Sequence, residues 1–332
     1  MYIWDANKIW IFVLFLSFAL CTVFTPIFIR YALKHKIDNS VKLYLPSNHQ
    51  KKISTPNMGG IVIVTSIAIS TSLFCSFSGI KYWATLVTLM GFAFVGLYDD
   101  LSKMYSKERK GIPEKQKFIL QFLTAIVACF VLRYFSAQYS TICHLPFTSY
   151  VLDLGYFYDF FCVLVICSAS NAVNITDGLD GLAIVPVCVS AGALLYILIS
   201  GAEASFSLSL VCAAIIGSGL GFLIYNRHPA KIFMGDTGSL SLGATLGMIS
   251  VITKNQFFLA IIGGVFVIET LSVIMQILYH KIYPAKKLFR MAPIHHHFER
   301  LGMSETKIVK GFWIASLLFA ALGLSGRLLT IQ

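Results

Sequence analysis

The sequence predicts an all-α polytopic membrane protein with about ten transmembrane helices, and three observations lead to this prediction. The chain of 332 residues is 57% hydrophobic and only 12% charged, whereas a soluble domain carries about 25% charged residues. Its apolar stretches approach about 20 residues, the length that a helix needs to cross a bilayer. The alternating pattern of a membrane barrel is absent. We therefore expect a single integral membrane domain over residues 1–332.

Ten apolar segments are the predicted spans. They cover residues 9–33, 58–78, 82–98, 117–137, 156–172, 182–200, 206–225, 239–253, 256–281 and 308–327. The first segment is too long for a signal peptide, so we interpret it as a retained helix. Seven of the eight cysteines fall inside apolar segments and no C-x-x-C occurs. This pattern predicts neither a disulfide framework nor a zinc site.

The distribution of positive charge predicts the orientation. Most of the 26 Lys and Arg residues fall in residues 30–57, 99–117, 227–231 and 281–310. By the positive-inside rule these loops are cytoplasmic, which places both termini outside. The net charge of +11 suits anionic membrane lipids, or a surface that collects a phosphorylated substrate. Nucleic acid is not expected as a partner, because no basic soluble domain is present to hold it.

Five aspartates lie at the ends of these spans, all on the predicted cytoplasmic side. They are Asp99, Asp100, Asp177, Asp180 and Asp236, one third of the 15 acidic residues. A carboxylate beside hydrocarbon is costly unless it is paired or bound to a metal. The pattern predicts a site for a hard divalent cation and an anionic substrate on the cytoplasmic face.

The GLYDD motif places Asp99 and Asp100 at the predicted end of the third span. Adjacent residues of a helix point about 100° apart, so we expect both to face one site only where the helix is ending. The alternative is a solvated helix end, although negative charge at a helix C-terminus opposes the macrodipole.

The run NAVNITDGLDG is the strongest motif. Asn171 and Asn174, and then Asp177 and Asp180, are spaced i,i+3 and share a face if the run is helical. Its glycines permit turns and the close approach of a ligand. A helix N-cap is the alternative, but one cap needs one such residue and the run offers five polar groups, counting Thr176.

In YNRHPAKIFMGDTGS, two glycines flank Asp236 and Thr237 just before a predicted helix. Backbone N–H groups at a helix start bind phosphate, and an acid there can bind Mg²⁺. The alternative is that Asp236 is a simple N-cap. Within the ninth span, Glu269 has Gln276 seven residues later on the same face, which favours an interhelical structural role.

The motif APIHHHFE lies in the last cytoplasmic loop. Consecutive histidines radiate from a helix in different directions, so the three are not expected to form one zinc site. Imidazoles can instead bind phosphate or transfer protons near neutral pH.

Together with TPNMGG, these motifs resemble the polyprenyl-phosphate N-acetylhexosamine-1-phosphate transferases, in the same order and over essentially the whole chain. The triple histidine followed by Phe-Glu is similar to the branch that transfers phospho-N-acetylmuramoyl-pentapeptide. The resemblance implies that UDP-MurNAc-pentapeptide and undecaprenyl phosphate react, with Mg²⁺, to give lipid I and UMP. It also implies a homodimer in the bacterial inner membrane. Asn57 stands where the family usually has Thr, which puts one ligand contact in doubt.

The resemblance also implies roles for individual residues. Asp236 is the expected Mg²⁺ ligand, with Asn174 as a second candidate. Asp99 and Asp100 are expected to orient or deprotonate the lipid phosphate, Asp99 being the better candidate for a base. His295 is expected to act at the diphosphate or sugar end. The substrate-binding candidates are Lys52, Asn57, Lys117 (with Lys115 as a near substitute), Asn171, Asn174, Asp177, Asp180, Asn226, Phe233, His295, His296 and His297.

Three other functions remain open at this point. A sibling transferase would use UDP-GlcNAc as the donor. A cation-coupled transporter would carry its acids near the bilayer midplane in broken helices, yet only Glu269 lies deep within a predicted span. A non-catalytic lipid-binding scaffold would leave the polar run at residues 171–181 without a purpose.

Overall fold

The computed structural model describes residues 8–35, 37, 55–75, 79–106, 110–136, 139–200, 205–284 and 286–331, with side chains as far as residue 327. Within these residues the chain forms twelve α-helices and one two-stranded sheet. The helices are α1 (Ile9–Lys34), α2 (Gly60–Ser72), α3 (Ile80–Tyr105), α4 (Glu114–Phe135), α5 (Tyr158–Thr176), α6 (Ile184–Ser200), α7 (Phe206–Asn226), α8 (Gly235–Ile252), α9 (Gln256–Ile262), α10 (Gly264–Ile282), α11 (Ile294–Arg300) and α12 (Glu305–Ile331).

The prediction of a helical multi-pass membrane protein is confirmed. Seven of the described helices are long and apolar enough to cross a bilayer: α1, α3, α4, α5 with the short turn before it, α7, α10 and α12. Two further apolar helices, α2 and α6, are shorter. The count of ten spans and the external position of both termini stay predictions.

The structure departs from the predicted elements at three places. Strands β1 (Ile142–His144) and β2 (Val151–Asp153) form an antiparallel hairpin between α4 and α5, an addition to the all-α prediction. The predicted span 256–281 is two helices, α9 and α10, which meet at Gly263. The third predicted span ended at residue 98, whereas α3 continues to Tyr105.

Helix α8 lies at the centre of the fold. All its residues from position 237 to 251 are buried, and α3 and α5 pack on it. Close approach depends on glycines: a Cβ at Gly96 of α3 would collide with the backbone of Asp236, and one at Gly243 would lie 2.5 Å from the carbonyl oxygen of Ala169 in α5. This packing places the end of α3 beside the start of α8.

All eight cysteines are free and buried. Each therefore packs in the interior as a small, weakly polar side chain.

Candidate active site

The candidate active site lies where the last turns of α3 meet the first turn of α8. The carboxylates of Asp99, Asp100 and Asp236 each offer an oxygen within 4.8 Å of the others. Asp99 and Asp100 are buried, and Asp236 is partly exposed. The structure thus brings together three of the five aspartates, and we refer to these three as the aspartate cluster.

Asp100 caps helix α8 from a neighbouring helix. Its carboxylate accepts hydrogen bonds from the backbone N–H of Asp236 at 3.2 Å, and from the backbone N–H and the hydroxyl of Thr237 at 3.0 and 2.8 Å. Gly235 has φ +71°, and a Cβ there would lie 2.7 Å from Oδ2 of Asp100. The helix start favours this negative charge. Asp100, and not Asp236, therefore has the N-cap function that the sequence left open.

Asp99 faces a different wall of the site. Its Oδ1 accepts a hydrogen bond from the backbone N–H of Ile112 at 2.9 Å, and Gly111 leaves no room for a Cβ beside it. The prediction that the helix ends at this pair is wrong, because α3 continues to Tyr105. The two side chains diverge as helix geometry requires, and each meets a different segment at the edge of one cluster.

Two lysine side chains balance the charge of the cluster. Lys117 of α4, a predicted site residue, pairs with Oδ2 of Asp236 and lies 3.6 Å from Oδ2 of Asp99. Lys103 of α3 was not predicted, although its i,i+4 spacing from Asp99 is a sequence signal that could have found it. Its Nζ lies 2.7 Å from Oδ2 of Asp99 and 3.1 Å from Oδ2 of Asp236. Lys115, the near substitute for Lys117, is exposed.

The two asparagines of the NAVNITDGLDG run have separate partners. Asn174 donates to Oδ1 of Asp236 at 3.0 Å and to the hydroxyl of Ser239 at 2.8 Å, so it joins α5 to the aspartate cluster. Asn171 donates to Oε1 of Gln121 at 2.6 Å and ties α5 to α4 instead.

The TPNMGG motif borders the same cluster. A Cβ at Gly235 would lie 2.8 Å from Oδ1 of Asn57. The backbone N–H of Phe233 donates to the carbonyl of Pro56 at 2.8 Å, and its carbonyl accepts from Gly59 at 2.9 Å. Both Asn57 and Phe233 are therefore placed at the start of α8, and Phe233 is partly exposed. Lys52 lies outside the described residues.

Asp177 follows the last residue of α5 and is partly buried. Desolvation, and then the negative charges of Asp236, Asp100 and Asp180, raise the pKa of the Asp177 carboxyl to about 7. This side chain therefore changes its charge close to neutral pH.

The fifth aspartate belongs to a separate group, which we call the histidine cluster: Asp180, His228 and Glu305. Oδ2 of Asp180 lies 2.9 Å from Nδ1 of His228 and accepts the backbone N–H of Ala230 at 3.0 Å. Oε1 of Glu305 accepts the backbone N–H of Asp180 at 2.8 Å. Neither His228, which lies within the YNRHPAKIFMGDTGS motif, nor Glu305 was predicted as a site residue.

Asn226 stabilises the backbone beside this cluster. Its Oδ1 accepts the N–H of Gly181 at 3.1 Å, and its Nδ2 donates to the carbonyl of Ile232 at 2.9 Å. The substrate-binding roles predicted for Asp180 and Asn226 stay predictions, because the contacts that the structure gives them are with the chain itself.

The three histidines point to different partners, as expected for consecutive residues on a helix. His295 is buried, with Nδ1 3.0 Å from Oε2 of the fully buried Glu269. Its ring packs so closely on Gly178 that a Cβ there would collide with Nε2. Glu269 thereby joins α10 to α11, the interhelical contact that the sequence predicted. His296 lies 2.6 Å from Oε2 of Glu299, and Nδ1 of His297 accepts the backbone N–H of Arg290 at 3.1 Å.

The aspartate cluster fits a divalent cation. Three carboxylates supply oxygen donors within 4.8 Å of one another, and Mg²⁺ binds through one or two carboxylates while water and substrate phosphates complete its shell. The lysine ammonium groups on the same oxygens show that the cluster already attracts positive charge.

A bundle of membrane-length helices that holds carboxylates and lysines at one polar edge suits a membrane-embedded phosphotransferase, because phosphoryl transfer depends on charge neutralisation. The family model described as glycosyl transferase family 4 matches residues 82–254. A phospho-N-acetylmuramoyl-pentapeptide-transferase of Rickettsia bellii (strain OSU 85-389) is 45% identical over 304 residues, which is 87% of this chain and 84% of that protein. One of Rickettsia akari (strain Hartford) is 42% identical over 325 residues, which is 93% and 90% of the two chains.

The chain belongs to the phospho-N-acetylmuramoyl-pentapeptide-transferase family and is a phosphotransferase of peptidoglycan synthesis. The resemblance based on the sequence motifs is thereby confirmed.

Proposed function

We propose that the chain transfers phospho-MurNAc-pentapeptide from UDP-MurNAc-pentapeptide to undecaprenyl phosphate in a Mg²⁺-dependent reaction that gives lipid I and UMP. The observation that carries the proposal is the aspartate cluster with its two lysines, in a chain whose relatives at 42–45% identity have this transfer in their name. The reaction is the first membrane step of peptidoglycan synthesis. It takes place at the cytoplasmic face of the bacterial inner membrane, and the functional form is a homodimer.

Asp236 is the proposed principal Mg²⁺ ligand, with the carboxylates of Asp99 and Asp100 in reach of the same ion. The hydrogen bond from Asn174 holds the Asp236 side chain in place. When bound, the cation would neutralise the charge of the diphosphate. Phosphoryl transfer depends mainly on the positioning of the reacting groups and on such charge neutralisation.

Asp99 and Asp100 have different proposed roles. Asp100 already accepts three hydrogen bonds from the start of α8, so it organises the site. Asp99 accepts one backbone hydrogen bond on Oδ1, while Oδ2 faces the two lysines. This makes Asp99 the better group to orient or deprotonate the lipid phosphate.

The donor is proposed to bind along the edge formed by the start of α8, the end of α5 and α11. Phe233 is partly exposed there and suits stacking on the base, while Asn57, Asp177 and the histidines of α11 surround the sugar and diphosphate. Lys117 and Lys52 neutralise phosphate. The apolar groove between helices holds the prenyl tail.

The bonds that change are those of the donor diphosphate. An oxygen of the lipid phosphate forms a bond to the phosphorus attached to the sugar, and the bond from that phosphorus to the UMP oxygen breaks. UMP leaves with the electron pair, and the lysines at the cluster balance the charge that develops.

The experiment measures UMP release by the purified protein in detergent, with undecaprenyl phosphate and either UDP-MurNAc-pentapeptide or UDP-GlcNAc. We expect release with the first donor only, and its loss when EDTA removes the divalent cation. Release with UDP-GlcNAc alone would assign the chain to the sibling reaction. No release with either donor would overturn the proposal.

A further inference from the structure

Lys103 has an unusual position among the cations of the site, because its ammonium contacts all three carboxylates of the aspartate cluster. Nζ lies 2.7 Å from Asp99 Oδ2, 3.1 Å from Asp236 Oδ2 and 3.9 Å from Asp100 Oδ1. Lys117 contacts two of the three. Two ammonium groups thus face the three carboxyl groups of the cluster.

The side chains of Lys103 and Lys117 differ in how readily they can move away from the aspartate cluster. The side chain of Lys103 is 28% exposed and that of Lys117 is 10% exposed. Lys103 lies one helical turn after Asp99 on α3, close to the end of that helix at Tyr105. A lysine is a compact charge on a flexible four-carbon stem, so its ammonium can turn outward without any movement of α3.

The oxygens that Lys103 contacts are the ones that a divalent cation needs. Mg²⁺ binds carboxylate oxygens at about 2.0–2.1 Å, and an ammonium at 2.7 to 3.1 Å from two of those oxygens occupies the same space. Two positive charges a few ångströms apart also repel strongly where water is largely excluded. The lysine and the metal ion therefore compete for the cluster.

We infer that Lys103 is the resident counter-ion of the aspartate cluster, that a divalent cation displaces it, and that the displaced ammonium then binds the phosphate of the substrate. One side chain would couple metal binding to substrate binding, and the cluster would keep a near-neutral charge before the metal enters. The inference rests on the proposed function for the identity of the cation and of the anionic substrate.

The test measures Mn²⁺ binding to the full-length protein in detergent, without substrate, by electron paramagnetic resonance. The variants are Lys103→Met, which removes the competing charge, and Lys103→Arg, which keeps it. Lys310→Met is the matched control, because it removes one positive charge from an exposed position on α12. Thermal unfolding in EDTA checks that each variant is folded.

We expect Lys103→Met to bind Mn²⁺ about tenfold more tightly than the wild type. Lys103→Arg should bind it no more tightly than the wild type, and Lys310→Met should be unchanged. The enzyme assay adds a second readout: at saturating Mg²⁺, Lys103→Met should raise the KM for the UDP-sugar more than it lowers kcat, and Lys103→Arg should restore part of the loss.

Equal or weaker Mn²⁺ binding by folded Lys103→Met would overturn the inference, and so would the absence of Mn²⁺ binding in both the variant and the wild type. If Lys103→Met does not fold, tighter binding by Lys103→Arg than by the wild type would overturn it. Failure of the proposed function is distinguishable, because it appears as absent UMP release in the wild type while the difference in Mn²⁺ binding persists.

Discussion

The aspartate cluster and the histidine cluster contain similar chemical groups and are neutralised in different ways. Both gather three metal-competent side chains within 4.8 Å. In the aspartate cluster the opposite charges are the side chains of Lys103 and Lys117, both of which reach Asp236. In the histidine cluster, the carboxylate of Asp180 is held by a backbone N–H and by His228.

The difference indicates which cluster can exchange its partners. A lysine can swing away when a metal ion or a phosphate arrives, whereas a backbone N–H stays where the fold puts it. The histidine cluster joins the turn after α5, the loop after α7 and the start of α12, and the indole of Trp313 donates to the carbonyl of Gly181 at 3.0 Å beside it. We therefore propose that the aspartate cluster performs the chemistry and that the histidine cluster joins segments of the fold. The substrate-binding role predicted for Asp180 is the alternative that the variants below distinguish.

The largest expected effect is that of Asp236→Asn, which removes the carboxylate that both lysines and Asn174 contact. UMP release at saturating Mg²⁺ should fall by at least about 100-fold, because charge stabilisation of the reacting phosphates is lost. Far-ultraviolet circular dichroism should remain that of the wild type. A folded variant that keeps most of the wild-type rate would remove Asp236 as the principal ligand.

The next largest effect is expected for Asp99→Asn. A lost general base lowers the rate by about 10²–10⁴-fold, and Asn keeps the acceptor for the N–H of Ile112. The measurement is UMP release from pH 6 to pH 10. Activity retained at high pH would argue that the lipid phosphate needs no general base, and Asp99 would then be an orienting group only.

Asp180→Asn should act on stability and leave catalysis almost unchanged. The carboxylate is buried and bonded to His228 and to Ala230, and the loss of such charged hydrogen bonds costs about 1.5–3 kcal/mol. The expected readout is a lower unfolding temperature with a nearly unchanged KM for the UDP-sugar. A raised KM at unchanged stability would instead place Asp180 at the substrate. It would contradict the proposal that only the aspartate cluster performs the chemistry.

A pH-dependent effect on stability is expected from Asp177. Because burial raises its pKa from the ordinary value of 3.8 to about 7, the folded state binds this proton more tightly than the unfolded state. The stability that the proton contributes is present at low pH and is lost as pH rises to about 7. The unfolding temperature of the wild type should fall relative to that of Asp177→Asn between pH 5 and pH 8. Parallel curves for the two proteins would show that the carboxyl does not titrate in this range.

Hydropathy predicted most of the helices, because a span needs an unbroken apolar run and such runs are visible in the sequence. It placed the end of α3 too early, since the Asp and Lys residues there lower the local hydropathy while the helix continues. The hairpin of β1 and β2 was missed because strands of three residues are too short to show alternation. The break between α9 and α10 at Gly263 was missed because the residues on both sides of it are apolar.

The sequence predicted the individual residues of the candidate site better than it predicted how they are grouped in space. All five aspartates were identified, yet only tertiary packing separates the three of the aspartate cluster from Asp180. The backbone N–H of Asp180 donates to Oε1 of Glu305, which lies on a helix distant in the sequence. Lys103 was missed because it fell within residues 99–117, a predicted cytoplasmic loop in which the positive-inside rule already accounts for lysines. His228 lies within the YNRHPAKIFMGDTGS motif, but the motif does not indicate its partners, and Glu305 lies outside every motif.

The most direct test of the division between the clusters compares Asp236→Asn with Asp180→Asn in one assay. UMP release from UDP-MurNAc-pentapeptide, with undecaprenyl phosphate, is measured over a Mg²⁺ titration and divided by the folded fraction of each protein. We expect a near wild-type rate for folded Asp180→Asn and almost none for Asp236→Asn at any Mg²⁺ concentration. Equal losses in the two variants, or a larger loss in Asp180→Asn, would contradict it.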